Sequence, residues 1–172
     1  PNFREDEEFV QCCYMDDRMG VLNAFKVCET LENGAIVFSA WEEHGGGSVE
    51  SLGRILYENH GVQQALISDI TWVTEDIHHG EGVAISMRDS GIPRRGFVEG
   101  ILDHARASGI PFQLEVEGAG GSDGIALQRS PYPFDWCFIG APESGVHSPD
   151  EKVHIRDAEA MTEMYRYLME TL

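Results

Sequence analysis

The sequence predicts an α/β domain with a mixed, mostly parallel sheet flanked by helices. Three observations carry that reading. Short apolar runs alternate with stretches of helical periodicity along most of the chain, the pattern of strand–helix–strand crossover units. The 172 residues and a hydrophobic fraction of 42% suit one domain with a real core, which excludes a disordered chain. Five acidic or imidazole side chains, Asp16, Glu42, Glu43, Asp69 and His147, each fall at or just past the end of an apolar run. In an open α/β sheet such strand ends share one crevice, so residues distant in sequence converge there if the strands run parallel.

The elements follow in order. EFVQCCYM (8–15) reads as the first strand, and Val21, Leu22, Phe25, Cys28 and Leu31 keep helical spacing over 18–32 until Asn33-Gly34 stops them. AIVFSAW (35–41) reads as the second strand, followed by helix SVESLGRILYENH (48–60), ended by Gly61, and strand QALISDI (64–70). A polar stretch over 74–82 leads to VAISMR (83–88), whose pattern suits an antiparallel strand at an edge. Helix GFVEGILDHARAS (96–108), strand FQLEVE (112–117), loop GAGGSDG (118–124), strand DWCFIGA (135–141) and a helix over 157–170 complete the chain. With no repeat, linker or low-complexity segment, residues 1–172 read as one domain.

Charge narrows the partners. Thirty Asp and Glu stand against 12 Lys and Arg, a formal net charge of −18, with Lys26 and Lys152 the only lysines. Such a surface repels phosphate backbones and anionic lipid, so neither nucleic acid nor a membrane is an expected partner. Cys12, Cys13, Cys28 and Cys137 have no CxxC spacing and read as free thiols of a reducing, cytoplasmic compartment. No run reaches the roughly 18 apolar residues of a membrane span, and no secretory signal pattern opens the chain. The chain opens on Pro1 rather than Met, and an N-terminal portion is expected to be missing.

Three carboxylates and an imidazole at one point suit a divalent metal, and the spare Glu42 beside Glu43 suits the general base of metal-assisted hydrolysis. Each residue also has a plainer role. Asp16-Asp17-Arg18 stands where the first strand gives way to its helix, so it fits an N-cap as well as a bridging carboxylate oriented by Asp17 and Arg18. Glu42-Glu43 fits a solvated pair, yet adjacent like charges at a strand mouth are costly without a cation or a shared proton. Asp69 could cap a turn, and His147, in SGVHSPDE, could be structural. GAGGSDG lacks the Walker spacing and a following Lys, and reads as backbone lining a substrate cleft around Gly121, Ser122 and Asp123.

DDRMG, WEEHGGG, SDIT, EGAGGSDG and GAPESGVHSPDE, in that order, resemble the catalytic domain of the glutamyl-aminopeptidase and tetrahedral-aminopeptidase family of dinuclear metallopeptidases. The resemblance runs from about Tyr14 to the C-terminus. It implies a three-layer zinc-exopeptidase-like fold that removes N-terminal residues from a peptide substrate. Asp16 would bridge two metals, Glu43 and His147 would complete one site, Asp69 would join the other, and Glu42 would be the general base. It also implies a cis peptide between Asp16 and Asp17 and a homo-oligomer. Zinc is the first choice of metal, with cobalt or manganese as alternatives. In the family the second site takes a further His from an HxD-type motif upstream of an inserted domain. No such motif occurs here, so of up to two metal sites one is expected to be incomplete. The family also carries an Arg-Tyr pair before the final His, where this chain has Ser144 and Gly145. The alternative reading is an impaired or non-enzymatic module of this fold, or an inactive fragment.

Overall fold

The structure, a computed structural model, describes residues 2–172. Seven strands form one sheet: β1 (Arg4–Glu5), β2 (Phe9–Cys12), β3 (Gln64–Trp72), β4 (Val83–Arg88), β5 (Phe112–Val116), β6 (Asp135–Ser144) and β7 (Glu151–His154). β6 is its axis. β3 runs parallel along one edge of β6, from Gln64 opposite Asp135 to Trp72 opposite Glu143. The other edge is shared by β4, antiparallel at Ile85 and Ala84, and by β7, antiparallel at Val153 and Lys152. β5 extends the sheet beyond β4 in parallel, and β2 and then β1 extend it antiparallel beyond β7.

The sheet is therefore mixed, as expected, but not mostly parallel: four of its six strand pairings are antiparallel. The short connection from β6 to β7 is the reason, because six residues can only reverse the chain, whereas a parallel return needs a crossover. β4 is antiparallel to β6 as its pattern suggests, yet it lies inside the sheet because β5 covers its far edge.

Five helices make two outer layers: α1 (Arg18–Cys28), α2 (Val49–His60), α3 (Arg95–Ser108), α4 (Asp123–Arg129) and α5 (Ile155–Thr171). The period of two along β6 separates the layers. Cys137, Ile139 and Ala141 pack with Met19 and Val27 of α1, Ile101 of α3 and Met164 and Leu168 of α5. Trp136 and Phe138, on the opposite face, pack with Val49 of α2 and Leu127 of α4. α3 shows why such segments are helical: Phe97, Val98, Ile101, Leu102 and Ala105 are buried at helical spacing. Each large side chain so buried contributes about 1.5–3 kcal/mol.

Residues 35–41 do not form the strand their pattern suggests. Their β-branched and aromatic residues suit a ladder, and among the described residues the outer edge of β3 is open, yet the segment forms no ladder there: Val37 and Phe38 stay exposed, Phe38 resting against Phe25 of α1 with ring centroids 5.5 Å apart. The segment is held at its end instead, where the loop carrying Glu42 and Glu43 begins. All four cysteines are free, and no helix is long and apolar enough to cross a membrane among the described residues.

Candidate metal centre

Three loops bring Asp16, Glu43 and His147 together. After β2 the chain turns through Tyr14, at φ +58°, and the backbone N–H groups of Met15 and Asp16 both donate to the buried carboxylate of Glu151 at the start of β7. The Asp16–Asp17 peptide that follows is cis, as the resemblance implies. Asp17 then caps α1, one carboxylate oxygen accepting from Gly20 N at 2.7 Å. Arg18 does not reach the carboxylates. Its guanidinium clamps the preceding backbone, donating to the carbonyls of Tyr14 (2.7 Å) and Cys13 (2.5 Å) and to Cys12 Sγ.

Glu42 and Glu43 sit in a 3-10 turn, Glu42–His44, bracketed by left-handed Trp41 (φ +70°) and Gly45 (φ +96°). The loop is tied at its neck: Ser48 N donates to Ala40 O at 3.0 Å, and Ala40 N to Ser48 Oγ at 2.8 Å. Gly47 makes that closure possible, since a Cβ there would lie 1.7 Å from Ala40 O. His147 occupies the β6–β7 turn at φ +59°, where Ser148 N donates to Gly145 O at 3.0 Å.

His147 Nε2 lies 3.0 Å from Asp16 Oδ2 and 3.3 Å from Glu43 Oε2, and one donor atom from each residue falls within 4.8 Å of the others. Bonds of about 2.1 Å in a tetrahedron put ligand atoms roughly 3.4 Å apart, so these three groups fit three corners of a zinc site. Asp69 is not in this cluster. It lies inside β3, opposite Gly140 rather than at the strand end, and faces Asp16 and Asp17 from the cavity wall. The carboxyl groups of Asp17 and Asp69 are close neighbours.

The electrostatics show what is uncompensated. Burial first, then the charge of Glu43, raises Asp16 to about 6. Burial, then Asp123 and Glu43, raises Glu42 to about 7. Burial, then the charge of Asp69, pushes Asp17 well above the carboxylate range, and burial, then the charge of Asp16, does the same to Asp69. A divalent cation relieves this repulsion directly.

A cavity of about 290 Å³ opens from the cluster, with Glu42 on its wall. Gly121 lines it, but Ser122 and Asp123 do not: the Ser122 hydroxyl donates to Asp89 at 2.8 Å and caps α4, and Asp123 accepts from Ser39 Oγ beneath Glu42. Sequence reasoning missed the rest of the lining, which includes Trp72, Asp89, Glu115 and Glu117. An acid buried in the middle of the apolar run FQLEV was the available signal for Glu115.

Comparison with solved structures shows the same arrangement of elements. An aminopeptidase from the archaeon Desulfurococcus kamchatkensis superposes with a TM-score of 0.86 at 23% identity, covering 99% of this chain and 51% of that one. The TET1 peptidase of Pyrococcus horikoshii, which assembles into a tetrahedron or a large octahedral shell, gives 0.84 at 25%, over 99% and 53%. An M18-family aminopeptidase from Thermotoga maritima gives 0.78 at 20%, over 99% and 48%. The chain thus spans about half the length of the structures it matches. The family model for M42 glutamyl aminopeptidase matches residues 2–164, nearly the whole sequence. On that match, the chain belongs to the M42 glutamyl aminopeptidase family.

Proposed function

We propose that this chain carries the reaction centre of a metal-dependent aminopeptidase, which hydrolyses the N-terminal peptide bond of a peptide substrate. The carrying observation is the contact of His147 Nε2 with both Asp16 and Glu43, with Glu42 on the same cavity wall. Asp16, Glu43 and His147 would hold one divalent cation, zinc first, with cobalt or manganese as alternatives. When bound, such a cation polarises the scissile carbonyl and makes water more acidic.

Glu42 accepts a proton from the attacking water and returns it to the departing amine. Its half-buried place on the cavity wall, directly beside the proposed ligand Glu43, suits that task. Asp17 stands beside Asp69 while capping α1, and Arg18 fixes the backbone that presents Asp16. With Asp16 shared, the Asp69 side offers two carboxylates among the described residues, fewer ligands than the Glu43 and His147 side. Gly121 presents backbone to the substrate. A homo-oligomer in the cytoplasm fits the shells of the TET1 peptidase and the four free thiols.

A metal- or peptide-binding module without turnover is the second reading, because among the described residues only Asp16, Glu43 and His147 gather as candidate ligands at one point. Aminoacyl-amide hydrolysis with added zinc, cobalt or manganese separates the two, alongside Glu42→Gln. The proposal requires turnover that falls at least about 100-fold in Glu42→Gln while bound metal is unchanged. Equal turnover in the two proteins removes Glu42 from the role of base.

A further inference from the structure

We propose that the cleft selects substrates whose N-terminal side chain is cationic, of the lysine or arginine class, and that Glu117 together with Glu115 recognises the charge. The inference rests on the aminopeptidase reading of the same site and names its substrate class.

Besides the proposed metal ligands, the cavity lining carries a second set of acids, Asp89, Glu115 and Glu117, in which Glu115 feels the charges of the other two, and Ile70, Trp72 and Phe138 supply apolar surface to the same space. An aliphatic stem ending in a positive head matches that distribution. In all, seven carboxylates and one imidazole line the cavity, without a lysine or an arginine. Asp89, Glu115 and Glu117 are not among the proposed metal ligands, so cations held at those ligands leave this second set without a countercharge from the metal site.

This set is not an extension of the acidic surface. Asp89 and Glu115 are each 5% exposed. Asp89 has a structural task, accepting from Gly91 N at 2.5 Å and Ser122 Oγ at 2.8 Å, with the neighbouring Arg88 guanidinium donating to its backbone carbonyl. Glu115 differs. It accepts from the Thr71 hydroxyl, no ion pair reaches it among the described residues, and burial raises it to about 7. A buried carboxylate on a cavity wall without a countercharge is stabilised by a cation entering that cavity.

Glu117 is prepared in another way. One of its oxygens accepts from Ala119 N at 2.6 Å and Gly120 N at 3.3 Å, which fixes the side chain and holds its carboxyl below the usual range. No hydrogen bond among the described residues reaches its other oxygen, which is free for a ligand. An anionic N-terminal side chain would be repelled by both glutamates, and a neutral one would gain nothing from them.

The test uses the zinc-loaded chain, with lysinamide, its uncharged aliphatic analogue norleucinamide and glutamic acid α-amide as probes in calorimetry. Turnover of the matching aminoacyl-amidocoumarins is measured in parallel. Lysinamide is expected to bind about tenfold more tightly than norleucinamide and more tightly still than the glutamic acid amide. Glu117→Gln keeps an oxygen for the Ala119 N–H but removes the charge, and the lysine-to-norleucine ratio should fall at least about threefold. Norleucinamide or the glutamic acid amide binding as well as lysinamide would overturn the proposal, as would an unchanged ratio in Glu117→Gln. Turnover without a lysine preference sinks this inference alone. Selective lysinamide binding without turnover under any metal sinks the hydrolytic reading and leaves cation recognition standing. Neither binding nor turnover sinks both.

Discussion

Glu143→Gln in the metal-free chain is expected to change how stability depends on pH. Glu143 lies on β6, opposite Trp72 of β3 and Val153 of β7, and is fully buried with no hydrogen-bond partner for either carboxylate oxygen. Burial, then the nearby charges of Glu151, Asp16 and Asp69, pushes its carboxyl from an ordinary 4.5 to about 9. The folded chain therefore keeps a proton that the unfolded chain releases between those values. Stability from this group is complete below pH 4.5 and is lost as pH rises, by at most about 1.4 kcal/mol per pH unit. Between pH 5.5 and 8 the limit is about 3.4 kcal/mol, and local relaxation brings the expected loss nearer 2 kcal/mol. Glutamine does not titrate. At pH 5.5 its extra N–H donor, without an acceptor, costs about 1 kcal/mol, whereas at pH 8 the variant should exceed the parent by about 1 kcal/mol. Urea unfolding of both proteins in a chelator across this range measures the crossover. A difference that stays constant with pH would refute the reasoning, because it would mean that Glu143 ionises as easily folded as unfolded.

Other outcomes follow from the loops that build the centre. Gly47→Ala sets a Cβ against Ala40 O at φ +37°, so it should cost about 2–4 kcal/mol in thermal unfolding and weaken zinc binding by displacing Glu43. Asp69→Asn should leave about one tight zinc per chain, while His147→Ala should abolish tight binding, as zinc content after dialysis would show. The reverse order of effects would place the strong site on the Asp69 side.

How far the sequence carries depends on whether a feature is local. DDRMG and WEEHGGG were legible because the residues that shape each loop sit inside the motif: Asp17 caps the helix beside it, and Gly47 closes the turn that presents Glu42 and Glu43. Residues 35–41 were misjudged for the opposite reason, since periodicity reports which side chains suit a strand but not where they dock, and here Phe38 packs on Phe25 of α1 rather than along a strand edge. β7 is too short and polar, as EKVH, to show a period, and α4 has only seven residues after its Ser122 cap. The direction of β6–β7 pairing follows from a turn length that could be read only once β7 was known. In the site, the order of motifs identified Asp16, Glu43 and His147. Their 3.0 and 3.3 Å contacts, and the acidic wall of Glu115 and Glu117, arise from packing between strands distant in sequence.

Anomalous diffraction at the zinc edge, from crystals grown with one equivalent of zinc, locates the first cation without reference to activity. The expected result is one strong peak about 2.0–2.2 Å from Asp16, Glu43 and His147. A strong peak elsewhere, or none at these three side chains, would contradict a metal centre built on them.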